Sequence, residues 1–226
     1  MTQQALPDWQ PVTAPPRHVL EGRFARLEPL EPSRHGDDLW RALQGPEADP
    51  ALWDYLPYGP FERRSEFDSW LAAHAASHDP LFFSVIDRAS GQVQGLLSYL
   101  NIAPAHGCIE IGHIAYGRVM QRTPQATEAI FLLAEQAFAL GYRRLEWKCN
   151  DLNARSKRAA GRFGFSFEGR FRQHLVIKGH NRDTAWYSLL DHEWPAQRCI
   201  FQAWLAPGNF DAQGRQRQSL GELREG

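Results

Sequence analysis

The sequence predicts an α/β fold: a mixed, mostly antiparallel sheet of about seven strands, with helices on both faces and one parallel strand-helix-strand crossover. Three observations predict it. β-Patterned runs at residues 81–87, 92–102 and 108–116 are separated only by "RASG" and "APAHG", turns that suit antiparallel neighbours. The apolar period then changes from about 2 to about 3.6: Ala126, Ala129, Ile130, Leu133, Ala134, Ala137 and Phe138 share one helical face before a strand returns at 143–149. A strand, a helix and a strand within about 40 residues form a right-handed crossover between parallel strands. Finally, 226 residues with 43 % hydrophobic and 12 % aromatic side chains can bury one sizeable core and are few for two.

Each element follows from local chemistry. Residues 1–22 are rich in proline and polar groups and read as an arm that is either extended on the surface or disordered. "RFARLEPLE" (23–31) alternates as a strand. Ser33 is expected to cap a helix that stops at Gly45. The loop "DPALWDYLPYGPF" (49–61) carries four aromatics, and a second helix is expected near 62–78. After the antiparallel run and the crossover, Asn153 starts a short helix over 154–163 that Gly164 stops. The runs 165–177 and 182–191, joined by "KGHN", read as a long hairpin. From Pro195 the chain offers one short helix and a polar extension. The expected organisation is therefore an arm (1–22), a domain (23–194) and a C-terminal extension (195–226).

Composition excludes several classes. A formal charge of −1 and a pI near 6.8 draw the chain neither to nucleic acid nor to an anionic membrane, so any anion must be bound locally. Cys108, Cys149 and Cys199 are far apart and odd in number, which suits a reducing cytoplasm and gives neither a disulfide framework nor metal-ligand spacing. No basic start precedes an apolar run, and no apolar stretch approaches ~18 residues, so neither an export signal nor a membrane span is expected. His74 and His78 stand four apart on the expected second helix, a spacing that can hold a metal. Near a helix C-terminus, histidine is favoured by the dipole alone, and no metal is expected.

The stretch "AYGRVMQRTPQATEAIFLLAEQAF" (115–138) carries the functional signal. A strand ends, a polar turn follows, and a helix starts with Thr123 as N-cap and Pro124 as first helical residue. Helix N-termini have unpaired N–H groups and about half a positive charge, so such a turn is a ready anion site. Taken alone it is also an ordinary helix start.

The order of elements over roughly residues 20–193 resembles that of the GNAT acetyltransferases. In that family the turn reads Gln/Arg-x-x-Gly-x-Gly/Ala and its N–H groups bind the pyrophosphate of acetyl-CoA. Here Gln121-Arg122-Thr123-Pro124-Gln125-Ala126 matches at two of three signature positions, and Pro124 replaces the first glycine. Proline removes one donor, a loss of about 1.5–3 kcal/mol at most. The resemblance leaves the N–H groups of Arg122, Thr123, Gln125, Ala126 and Thr127, with the hydroxyls of Thr123 and Thr127, as the expected cradle. "NDLNARSKRAAGRFGF" resembles the Asn-x-x-Ser…Gly-Phe segment of the ribosomal-protein alanine and serine N-acetyltransferases, and "RQHLVIKGHNRDTAWYSLLDHEW" resembles their closing hairpin. That implies Asn153 at the pantetheine arm and Ser156 beside the thiol. Both are also ordinary first-turn residues. Arg155, Lys157 and Arg158 are candidates for the 3′-phosphate, and equally for a solvated helix face.

Acetyl transfer from a thioester needs a neutral amine, a stabilised oxyanion and a proton for the thiolate. Strand alternation would put Glu110 on one face of 108–116 and His113 on the other. Glu110 is the preferred base, with His113 second; Ser156 would hold or polarise the thiolate, and a backbone N–H near Tyr116 or Gly117, where the strand must splay from its parallel neighbour, would meet the oxyanion. Trp53, Tyr55, Tyr58 and Phe61, with Arg172 and His174 on the hairpin, could wall the amine site or simply pack under a long loop. Three readings stay open: a protein N-terminal acetyltransferase, which is preferred; a small-amine acetyltransferase; and a CoA-binding or interaction protein without chemistry. A homodimer is compatible with all three.

Overall fold

The computed structural model describes residues 6–225. Eight strands form one sheet in the order β1-β2-β3-β4-β5-β6-β8-β7. They are β1 (Leu20–Glu21), β2 (Ala25–Pro29), β3 (Leu81–Asp87), β4 (Val93–Ala103), β5 (Cys108–Tyr116), β6 (Arg144–Asn150), β7 (Ser166–Ile177) and β8 (His180–Leu190). All neighbours are antiparallel except β5 and β6. The strand beyond the expected seven is β1, where Leu20 and Glu21 pair with Leu27 and Arg26.

The helices lie on both faces. α1 (Pro32–Gln44) and α2 (Arg64–Ala75) cover one, burying Leu39, Leu43, Phe67 and Leu71 against Phe82, Leu96 and Ala115. α3 (Pro124–Ala139), α4 (Ala154–Arg162) and α5 (Trp194–Leu205) cover the other, over Leu27, Phe83, Ile109, Ile111, Leu145 and Trp147. Each fully buried Leu or Phe contributes about 1.5–3 kcal/mol, so both faces hold their helices firmly. α3 is further tied to β2 by Glu128, whose buried carboxylate accepts the N–H groups of Arg23, Phe24 and Ala25 at 2.8, 2.6 and 2.7 Å. A last turn, α6 (Glu222–Glu225), packs near α5, and Leu220 before it is fully buried. Among the described residues no helix is long and apolar enough to cross a membrane.

Two local expectations need correction. Ser33 does not cap α1: the helix begins at Pro32, where a missing N–H costs nothing, and the Glu31 N–H is met by His35 Nδ1 at 3.1 Å. α2 ends at Ala75, so His78 lies beyond it and does not share a helix with His74. The expected boundary at residue 194 falls at the start of α5, where Trp194, Phe201, Trp204 and Leu205 are buried with α3 in the main core and Arg198 holds Glu135. Residues 1–5 of the expected arm lie outside the described residues; from Trp9 onward it is held to the fold, with Trp9 Nε1 donating to Ala105 O at 3.0 Å and Val12 N to Pro104 O at 3.1 Å.

Candidate active site

β5 and β6 pair only at Cys108↔Arg144, Ile109↔Leu145 and Glu110↔Glu146. Beyond that point β5 stays with β4 and β6 stays with β8, so the parallel strands part into a V. The cause is local: the β4–β5 register shifts between Leu96/Ser98 and Ala115/Gly112, with His113 at φ 51°. A bulge of this kind bends its strand and strengthens its twist. The backbone groups that β5 turns toward β6 past Glu110 therefore have no ladder partner. The splay starts six residues before Tyr116, where the sequence put it, and Gly117 N is not a free donor because it bonds Gln94 O at 2.8 Å.

The same bulge overturns the expected alternation. Ile109 and Ile111 face the core under α3, and so do Ile114 and Tyr116; Ala115 lies in the α1–α2 core. His113 stacks on Tyr58 and lies tilted against Phe82 of that second core, with centroids 5.6 and 5.2 Å away. Glu110 and His113 thus share one face instead of dividing between two. Glu110, 4 % exposed, holds Lys148 Nζ at 3.0 Å and accepts from Asn101 Nδ2 at 2.7 Å. Burial raises its pKa against the opposing pull of Lys148 and Asn101. Lys148 also reaches Glu146 at 2.7 Å and sits over the Trp186 ring at 4.1 Å. His113 Nδ1 lies 2.9 Å from the Tyr58 hydroxyl, and burial, with His74 and Arg182 nearby, lowers its pKa to about 4. At neutral pH this imidazole is uncharged.

The turn before α3 keeps fewer donors than expected. Thr123 caps the helix, accepting from Ala126 N at 3.4 Å while its own hydroxyl donates to Met120 O at 2.6 Å. Thr123 N bonds Met120 O and Thr127 N bonds Thr123 O. Thr127 is 2 % exposed, and its hydroxyl accepts from Arg162 Nη1 at 3.0 Å. Among the described residues the N–H groups of Arg122 and Gln125 remain without an acceptor. Gln121 Nε2 donates to Tyr116 O at 3.0 Å and Gln125 Nε2 to Asp87 at 3.0 Å, so both side chains brace the turn. Arg122 stands exposed at φ 64°.

At the start of α4, Asn153 Oδ1 accepts from Ser156 N at 3.0 Å, leaving its Nδ2 free. Ser156 Oγ accepts from Trp147 Nε1 at 2.9 Å, which leaves the hydroxyl proton to donate, with the Cys149 thiol also within its reach. Arg155 is engaged with Asp49 at 3.1 Å and Lys157 with Asp151 at 2.9 Å, whereas Arg158 is exposed without an ion-pair partner among the described residues.

On the face of Glu110 and His113, the 49–61 loop and the β7–β8 hairpin approach each other. Lys178 Nζ at the hairpin turn donates to Trp53 O at 2.7 Å, and the Tyr55 hydroxyl reaches Leu152 O at 3.3 Å. Tyr58 and His174 both join this side, His174 through Thr184 Oγ1 at 3.0 Å and the nearby Trp186 ring. Phe61 packs on Trp53 and Phe67 instead, and Arg172 lies exposed in a shallow hairpin depression with Phe171 and Asn181. Sequence reasoning missed Lys148, Asn101 and Arg182. Lys148 and Arg182 could have been found by carrying strand alternation through 144–150 and back from Trp186.

Known proteins share this fold. Residues 26–166 match the acetyltransferase (GNAT) domain family. The structure of a GCN5-related N-acetyltransferase from Brucella melitensis is 51 % identical, with a TM-score of 0.93 over 97 % of this chain and 100 % of that one. A structure assigned to the GNAT family from Chromobacterium violaceum is 44 % identical, with a TM-score of 0.80 over 86 % of this chain and 97 % of that one. An acetyl transferase from Salmonella typhimurium that modifies the N-terminal serine of a 50S ribosomal subunit protein shares the fold at 18 % identity, with a TM-score of 0.64 over 76 % of this chain and 98 % of that one. No curated protein matches the chain.

Proposed function

The chain belongs to the GNAT acetyltransferase family, and from that premise we propose that it moves an acetyl group from acetyl-CoA to a primary amine, a protein N-terminus, by direct attack in a ternary complex. The observation that carries this reading is the V between β5 and β6, with a carboxylate and a neutral imidazole on one face and the starts of α3 and α4 following the ends of its two arms. The preference for a polypeptide acceptor rests on the Asn153…Ser156 segment and the closing hairpin, which resemble the N-terminal acetyltransferases.

In this reading the Arg122 and Gln125 N–H groups and the α3 dipole hold the pyrophosphate, and Asn153 Nδ2 takes a pantetheine carbonyl. The amine attacks the thioester carbon, a C–N bond forms, and the C–S bond breaks. The ammonium proton leaves through water to Glu110, whose raised pKa makes it a better acceptor than a solvated glutamate. His113, with a pKa near 4, is the weaker base and orients the amine with Tyr58. The departing thiolate takes a solvent proton while Ser156 donates a hydrogen bond to it.

The test is thermal melting with acetyl-CoA, followed by turnover on peptides with free N-terminal Ala, Ser or Met against small amines. Ligand at about a hundred times its Kd adds about 2.7 kcal/mol, on the order of 5–10 °C here. Adenosine as ligand should give no such shift. Stabilisation with peptide turnover supports the reading; stabilisation with turnover on small amines alone removes the protein acceptor; no stabilisation at millimolar acetyl-CoA removes the enzyme site.

A further inference from the structure

We propose that Arg182 anchors a carboxylate that the acceptor carries close to its reacting amine. The proposal deepens the acetyl-transfer reading and rests on it. β8 runs without a bulge through this region: Ala185, Tyr187 and Leu189 enter the core under α3, so Arg182, Thr184 and Trp186 face the other way, toward Glu110 and Lys148. Thr184 pairs with Asn150, the last residue of β6. Arg182 therefore stands one side-chain repeat past the end of β6, at the open end of the V, and its charge is felt by both His113 and Glu110.

Its guanidinium is left over among the described residues. Nε is buried and bonds nothing, and neither Nη makes a hydrogen bond or ion pair. The nearby carboxylates are occupied: Glu110 by Lys148 and Asn101, Asp151 by Lys157 and Arg170, Asp183 by Gln173 N and Asn181. Trp186 Nε1, on the same face, is likewise buried without an acceptor. An arginine stays charged, its half-burial is unfavourable without a counter-ion, and its planar fork matches a carboxylate. An acceptor whose amine lies by Glu110 and whose carboxylate lies by Arg182 supplies that counter-ion. Two sources fit, the α-carboxylate of a free amino acid or the side chain of an acidic first residue on a peptide.

The experiment measures kcat/KM by thiol release at saturating acetyl-CoA for matched acceptors: free amino acids against their α-amides, and peptides beginning with Asp or Glu against the same peptides beginning with Asn or Gln. The carboxylate-bearing member of one set should be preferred by about 10- to 100-fold, the worth of one charged hydrogen-bonded pair. Arg182→Gln should collapse that preference, and Arg182→Lys should restore part of it. The set that shows the preference identifies the source. Equal rates within both sets, or an Arg182→Gln loss shared equally by both members, overturn the anchor while leaving acetyl transfer intact. No turnover on any acceptor sinks the acetyl-transfer reading, and the anchor with it.

Discussion

Replacing Ser156 with alanine should have two separable effects. Its Oγ is the acceptor for Trp147 Nε1 at 2.9 Å, from a ring only 4 % exposed. Ser156→Ala strands that buried N–H, at about 1–3 kcal/mol. For a chain of this length each kcal/mol is worth roughly 2–4 °C, so Tm should fall by about 2–12 °C. Trp147→Phe removes the donor and leaves a small cavity of its own, and the double variant has no N–H to strand. A four-protein denaturation cycle should therefore return a coupling of about 1–2 kcal/mol. Catalysis should not follow that cycle. If the Ser156 proton serves the leaving thiolate, kcat falls roughly tenfold, one hydrogen bond's worth, and stays low in the double variant. Recovery of kcat in the double variant would refute that role and reduce Ser156 to a prop for Trp147; a coupling near zero would refute the hydrogen bond itself.

Two further predictions concern the charged floor of the site. Lys148→Met leaves the buried Glu110 without its cation and the half-buried Glu146 with Arg144 alone, and should cost about 3–5 kcal/mol; it should also move the acid limb of the kcat/KM profile to higher pH, since Glu110 loses the charge that offsets its burial. An unmoved limb would exclude Glu110 as the titrating base. His113, lowered to about 4 by burial first and by His74 and Arg182 second, is neutral when folded but protonates near 6.5 when unfolded. The unfolded chain thus binds the extra proton between those values, and stability falls as pH drops from about 6.5 to 4, by about 3 kcal/mol in all. His113→Gln should flatten that part of the stability profile, and an unchanged slope would show that the imidazole is not held neutral.

Most of the fold was legible because the chain is locally consistent. The strands at 81–87 and 108–116 have the bounds that alternation and turns assign, and Thr123 and Asn153 cap the helices they were expected to cap. Three of the misses share a cause, because each depends on an interaction distant in sequence or on one residue in an unusual conformation. Leu20 and Glu21 are a strand only because β2 offers an edge. The face of α5 was hidden because aromatic residues in a short tail helix look the same packed or free. His113 carries no mark of its φ of 51°, and without that bulge alternation sends Glu110 and His113 to opposite faces. One residue's backbone thus decided whether two candidate bases stood together.

The helix-cap and ligand readings of the two turns were set against each other as alternatives, yet they draw on different atoms. Asn153 caps with Oδ1 and keeps Nδ2; Ser156 accepts from Trp147 with its oxygen and keeps its proton. Thr123 spends both its oxygen and its proton inside the turn, and what it leaves open are the N–H groups of Arg122 and Gln125 on either side. Pro124 belongs to the same division. As the first helical residue it gives up an N–H that the helix never uses, and its ring fixes φ where a glycine would leave the turn to be ordered on binding. The substitution trades one donor for a turn already in shape, held in place by Gln121, Thr123 and Gln125, so under the proposed acetyl-transfer reading the two N–H groups would meet a pyrophosphate without ordering themselves first.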